Sequence, residues 1–418
     1  MKFNDMKPQV FALAQEAENE IRSQFERIDR IAQLNTLKVM QAFQDNKVSD
    51  SCFAGTTGYG YDDVGREVLD KVYAQIFCTD AALVRIGFVN GTHALSAALF
   101  AMLKPGDTLL SATGLPYDTL RNAIGIEGDC HGSLKFYGIN YAQVDLKADG
   151  SPDIGAIKKA AADKSVTAVL IQRSRGYGNR PAFSAEQIGE IARAVKEVDP
   201  SINVMVDNCY GEFTGEHEPT EYGVDLMAGS LIKNPGGGLA PTGGYVVGKA
   251  ELVEKAAMRL TTPGIGGECG ATLGNNRLLF QGLFMAPHIV AQALKTATFC
   301  SAMMSKIGFE TSPAPDEVRS DIIQMVTLKS ADNMKKFCKG IQSGAPVDSY
   351  VTPEPWQMPG YNCPVIMAAG AFVQGSSIEL SADSPIKEPY IVYVQGGLTY
   401  EHAYLAVLHT LETLNFDK

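Results

Sequence analysis

Apolar residues recur at helical spacing from Pro8 to about residue 45, at Phe11, Ala14, Ile21, Phe25, Ile28, Ala32 and Leu37. Glu16, Glu20, Arg27 and Arg30 fall on the other side. The spacing predicts a long amphipathic helix, and Pro8 suits its first turn. A polar, glycine-rich stretch follows from Gly55 to Arg66 and fits neither helix nor strand throughout. From Ala82 onward, short apolar runs alternate with helical patterns. The runs are Ala82–Val89, Thr108–Ala112, Val166–Gln172, Ile202–Asp207, Asp225–Ile232 and Gly243–Gly248, with helices such as His93–Leu103 and Ser184–Glu197 between them. This alternation predicts an α/β fold with a mostly parallel sheet covered by helices on both faces. After about residue 290 the pattern changes: Ile289–Met304 reads as helix, and Val318–Leu328, Gly370–Ser381 and His402–Leu414 belong to mixed strands and helices. The expected organisation is a helical segment over 1–50, an α/β domain over 51–290 and a smaller α+β domain over 291–418.

Two of the strand-like runs end in ionisable side chains. Asp207 closes the run that starts at Ile202, and Lys233 follows the run from Asp225, just ahead of Gly236-Gly-Gly238. Strands of this kind place both charges at the C-terminal rim of a parallel sheet, where α/β folds keep their ligands. A lysine and a carboxylate so placed suit pyridoxal phosphate (PLP): the amine can hold the cofactor covalently, and the aspartate can pair with the ring nitrogen. Asn90-Gly-Thr-His93 opens an apolar helix after a strand, so the Gly91 and Thr92 amides are candidates to face an anion. Ser230 lies three residues before the lysine and is a candidate for the same phosphate. Tyr117 falls on a rim loop and is a candidate to stack on a flat ring.

Composition narrows the field. The chain has 418 residues, is 45% hydrophobic and 20% charged, and carries a formal charge of −11. That balance argues against a nucleic-acid binder or an anionic-membrane binder. No apolar run reaches the ~18–20 residues of a membrane span, and the first residues lack the apolar core of a signal peptide; a cytoplasmic protein is expected. The eight cysteines form no C-x-x-C pair, so neither a disulfide framework nor a zinc site is expected. Asp129-Cys130-His131 reads as a loop without metal.

The motifs together resemble the PLP-dependent enzymes of cysteine and methionine metabolism, the cystathionine β- and γ-lyases and methionine γ-lyase. Thr57-Gly-Tyr-Gly-Tyr-Asp-Asp-Val-Gly-Arg66, Gln172-Arg-Ser-Arg-Gly-Tyr177, Val206-Asp-Asn208, Ser230-x-x-Lys233 and Ile378-Glu-Leu-Ser-Ala-Asp383 carry the resemblance over nearly the whole chain. The branch it resembles most is a bacterial cystathionine β-lyase family associated with aluminium resistance. The resemblance implies the fold-type I architecture, with a seven-stranded sheet. It implies Lys233 as the cofactor lysine, Asp207 as ring-nitrogen partner, Tyr117 as stacking ring, and Gly91, Thr92 and Ser230 as phosphate ligands. Tyr59, Tyr61 and Arg66 resemble the segment that reaches a neighbouring subunit's phosphate, which implies a homo-oligomer, a dimer of active sites within a tetramer.

Two departures stand out. Ile232 replaces the small hydroxyl residue usual before the lysine, and no arginine follows Arg319 to clamp a substrate carboxylate. Lys387 can offer only a point charge there, so Lys387, Arg173 and Arg175 are the candidates for that contact. The implied activity is β- or γ-elimination from a sulfur amino acid, releasing thiol, ammonia and a keto acid. An aminotransferase and a non-catalytic PLP-binding protein are the alternatives.

Overall fold

Strand β1 (Ala81–Arg85) lies at one edge of a seven-stranded sheet whose order is β1-β7-β6-β5-β4-β2-β3. The other strands are β2 (Thr108–Ser111), β3 (Asn140–Gln143), β4 (Val166–Gln172), β5 (Asn203–Asp207), β6 (Leu226–Ser230) and β7 (Gly244–Gly248). The computed structural model describes residues 6–128, 131–358 and 363–414. Asp129 and Cys130 lie outside them.

Strands β3, β2, β4, β5 and β6 pair in parallel, with Gln172 beside Asp207 and Asp207 beside Ala228. Strand β7 departs from this direction and pairs antiparallel with both β6 and β1. The reason lies in the connection. A parallel neighbour needs a crossover, usually a helix, whereas residues 231–243 contain only the short helical turn Asn234–Gly236. The chain therefore returns at the same rim, and Lys233 sits on that return. Strand β3 has no clear apolar signal because it is an edge strand with exposed ends and a half-buried middle.

The strands between are apolar on both faces because helices cover both. Leu83, Leu109, Leu170, Met205, Leu226 and Val246 are buried in one core with the helix Gly91–Met102. Helix Ala185–Val198 begins at a capping box between Ser184 and Gln187 and buries Ile188, Ile191, Ala192 and Val195 on one side. Each element end that faces the rim is thus held by burial behind it.

The chain divides into two compact units, Asn35–Phe284 and a second made of residues up to Leu34 with those from Met285 on. The N-terminal segment does not stand apart as a unit of its own. It forms two helices, Pro8–Glu20 and Arg22–Asp45, broken at Ile21. Val10, Ala14, Ala17 and Ile21 enter the core of the second unit. That unit has a five-stranded antiparallel sheet of β8 (Glu310–Ser312), β9 (Ile323–Thr327), β10 (Val365–Ala369), β11 (Ser381–Pro385) and β12 (Ile391–Gln395), in the order β10-β11-β12-β9-β8. Helices Ala331–Gly344 and Tyr400–Thr413 complete its core. Residues 370–380 are irregular and lead into β11. No helix among the described residues is long and apolar enough to cross a membrane.

Candidate active site

Asp207 is the last residue of β5 and is buried, with its Oδ1 accepting the Cys209 N–H at 3.1 Å. Burial pushes its carboxyl above the ordinary range, while the Lys233 charge pulls the other way. Lys233 is half-buried. Its Nζ lies 3.9 Å from the centre of the Tyr210 ring. Burial opposes the charge on Lys233, but Cys209, Tyr210, Asp207 and Tyr117 around it outweigh that and hold the ammonium well above an ordinary lysine.

The anion-binding features converge on the same place. Helix Gly91–Met102 starts at Asn90, whose side chain accepts the His93 N–H at 2.9 Å. This leaves the first amides of the helix facing the rim. A side chain at position 91 would be tight: a Cβ there would lie 3.0 Å from the Ser230 Cβ and 3.6 Å from the Cys209 Sγ. Gly91, Ser230 and Cys209 therefore wall one cradle. Thr92 Oγ1 and Thr119 Oγ1 are hydrogen-bonded at 2.8 Å, which ties the cradle to the loop of Tyr117. Tyr117 caps the short helix Asp118–Ile124, and its ring lies 6.1 Å from that of Tyr177.

Four residues at the rim escape a reading of the sequence alone: Cys209, Tyr210, Glu212 and Arg180. Arg180 donates to the Gln172 carbonyl at 2.9 Å and to the Ser174 carbonyl, closing the loop after β4. Glu212 is fully buried, accepts the Tyr245 O–H at 2.6 Å, and its carboxyl is pushed up to about 8 chiefly by burial. The Asp-Asn-Cys-Tyr-Gly-Glu order places Cys209, Tyr210 and Glu212 after a strand-end aspartate, but only the turn that follows decides which face the lysine.

The arginines land differently from expectation. Arg173 leaves the rim and is sealed inside, donating to Asn208 Oδ1 at 2.8 Å, Glu218 Oε2 at 3.0 Å and Thr214 Oγ1 at 3.2 Å. Its charge is matched by Glu218, so in this structure it braces a loop. Arg175 is also buried, on the loop after β4. Lys387 is exposed in the second unit, at the turn between β11 and β12.

Arg66 is likewise buried. Its guanidinium donates to the carbonyls of Gly60 at 2.6 Å, Gly270 at 2.8 Å and Glu268 at 3.1 Å, all within its own chain. Asp63 caps the helix Val64–Ile76 and accepts from Thr56, Thr272 and Asn276. Burial alone would raise the Asp63 carboxyl, but these bonds outweigh it and hold it below the usual range. The clamp presents Tyr59 and Tyr61, which are exposed and stacked with ring centres 5.6 Å apart. A cavity of about 360 Å³ lies beside the clamp, lined by Arg66, Leu69, Arg85 and Leu260 among others; none of the groups around Lys233 lines it.

A buried carboxylate facing a lysine at the C-terminal rim, beside a helix N-terminus, places the chain among the fold-type I α/β proteins. The PLP-dependent protein YhfS of Escherichia coli shares this fold at 19% identity, with a TM-score of 0.62 over 93% of this chain and 97% of its own. Residues 10–415 match the methionine gamma-lyase family, and the chain belongs to that family. A solved structure from Clostridium novyi NT, described as a carbon-sulfur lyase involved in aluminum resistance, is 54% identical, with a TM-score of 0.94 over 97% of this chain and 96% of that one. A structure from Listeria monocytogenes, provisionally assigned as a cystathionine beta-lyase involved in aluminum resistance, is 50% identical, with a TM-score of 0.95 over 96% and 99% of the two chains.

Proposed function

We propose that the protein is a PLP-dependent carbon–sulfur lyase that eliminates a thiol from a sulfur amino acid. The observation that carries this reading is the placement of Lys233 and Asp207 at one rim, with the Gly91–Ser230 cradle beside them. The residues fit the cofactor. The cradle leaves little space for a side chain at position 91, which suits close approach of a phosphate to backbone amides. Asp207 is a desolvated carboxyl, which suits a cationic ring nitrogen. Bound there, the cofactor supplies an electron sink for charge developing at the substrate α-carbon.

The rest of the task falls to the chain. Lys233 would hold the cofactor and, once displaced by the substrate amine, take the α-proton on Nζ. The half-buried ammonium is a stable place for that proton, because the groups around it favour the charged form. Asp207 would keep the ring nitrogen charged. Tyr117 would cover one ring face, and Thr92 would add a hydroxyl to the phosphate. We assign the substrate carboxylate to Arg175, the candidate that stays on the loop after β4 once Arg173 is committed to Glu218. Tyr59 and Tyr61, held up by Arg66, would reach the phosphate of a neighbouring copy, making a cytoplasmic homodimer the smallest active form.

The test is borohydride reduction of the purified protein followed by peptide mapping, together with keto acid and thiol assays on cystathionine, cysteine, methionine and homocysteine. The pyridoxyl group is expected on Lys233, with thiol and keto acid formed together. A label on another lysine, or keto acid without thiol, overturns the reading.

A further inference from the structure

Behind Asp207 the chain makes a turn that no side-chain pattern demands. Tyr210 has φ +72° and Phe213 has φ +63°. Bulky residues rarely occupy this left-handed region, and when they do the surroundings must impose it. The imposing groups are present. Gly211 N–H donates to the Asn208 carbonyl at 2.9 Å. A Cβ at 211 would sit 2.3 Å from Arg173 Cδ, so Arg173 packs directly under the turn. Glu218 holds Arg173 through one oxygen and the Phe213 N–H through the other, at 2.8 Å. The outcome of this construction is specific: the Tyr210 ring comes to lie under Nζ of Lys233 at 3.9 Å.

We propose that Tyr210 is a positioning residue whose ring face seats the Lys233 ammonium, and that the Arg173–Glu218 brace exists to hold that face in place. The aromatic face attracts a cation through its quadrupole, and more strongly where water is excluded. The ring thereby fixes the direction of the amine and favours its charged state. Cys209, Asp207 and Tyr117 also surround the amine, and Glu212 senses it from the same loop; Tyr210 adds a ring face at 3.9 Å. The inference rests on Lys233 being the cofactor lysine of the proposed lyase.

The experiment measures the amine itself. Full-length protein, freed of bound carbonyl compounds with hydroxylamine, is acylated over a pH range, and the peptide carrying Lys233 is quantified by mass spectrometry. The wild type is compared with Tyr210→Phe, which keeps the face, and Tyr210→Leu, which removes it. Below the titration midpoint, labelling of the Leu variant is expected to be about three- to tenfold faster than wild type, through a lower midpoint with an unchanged plateau at high pH. The Phe variant is expected to stay within about twofold of wild type. A Leu variant with the wild-type midpoint overturns the proposal, as does a Phe variant that behaves like Leu. Borohydride mapping on the untreated protein tests the cofactor reading separately, so the two can fail independently.

Discussion

Two buried arginines hold two loops, and they do it in opposite ways. Arg173 braces residues 208–218 and meets a carboxylate, Glu218, at 3.0 Å inside the protein. Arg66 braces residues 54–63 and meets only neutral carbonyls. The Nε of both arginines has no hydrogen-bond partner among the described residues. The first loop is electrically complete, and its product is inward: an aromatic face under a lysine. The second rests its guanidinium on backbone carbonyls while the Asp63 carboxylate accepts the Arg66 backbone N–H at 2.9 Å, and its product is outward: two exposed, stacked tyrosines. A loop whose product points inward serves its own chain's site, and exposed phenols held on a braced loop suit a group arriving from outside.

The sharpest way to break this contrast is to remove the first arginine. Arg173→Met strands the Glu218 charge in the interior and is expected to cost about 3–5 kcal/mol in denaturant unfolding. The double variant Arg173→Met/Glu218→Gln should recover most of that loss, because no buried charge is left unpaired. If the single variant unfolds like wild type, the brace is not what holds the turn.

A smaller effect concerns Glu212, the acid buried in the first loop. Its carboxyl is raised from the ordinary value to about 8 in the folded protein, mainly by burial. The unfolded carboxyl ionises first. The contribution to stability is therefore complete below the ordinary glutamate range and is lost as pH climbs through about 8. Between pH 6 and pH 9 the wild type should lose about 2–3 kcal/mol more than Glu212→Gln. Parallel pH profiles of the two in thermal melts contradict this assignment.

Arg66→Ala should cost about 1–2 kcal/mol, since the Gly60, Gly270 and Glu268 carbonyls lose a buried donor. Its signature is elsewhere. Lys233→Ala and the double variant Tyr59→Ala/Tyr61→Ala, each inactive alone, are expected to regain part of the activity when their subunits exchange, because one mixed site carries neither lesion. Mixed oligomers that form and stay inactive would remove the cross-subunit role of this loop. Arg66→Ala is then expected to weaken cofactor affinity more on dilution than wild type, as binding and association are linked.

The period of apolar residues, the strand ends and the glycine turns were legible in the chain because each is a local property. Alternation of short apolar runs with amphipathic helices requires a covered, mostly parallel sheet, and Asp207 and Lys233 follow their strands by covalent succession alone. The helix starting at Gly91 was legible for the same reason. What the chain could not declare is where long side chains go once the sheet has formed. Arg173 and Arg175 are two residues apart and both are buried, yet the partner that Arg173 meets is Glu218, forty-five residues further along. Arg66 looked like an anion ligand because its distant partners are backbone carbonyls, which carry no sequence signature. The seating of Tyr210 under Lys233 depends on a left-handed turn imposed by packing. Periodicity and covalent order are written in the sequence; the destination of a buried charge is decided only when distant segments meet and each polar group must find a partner away from water.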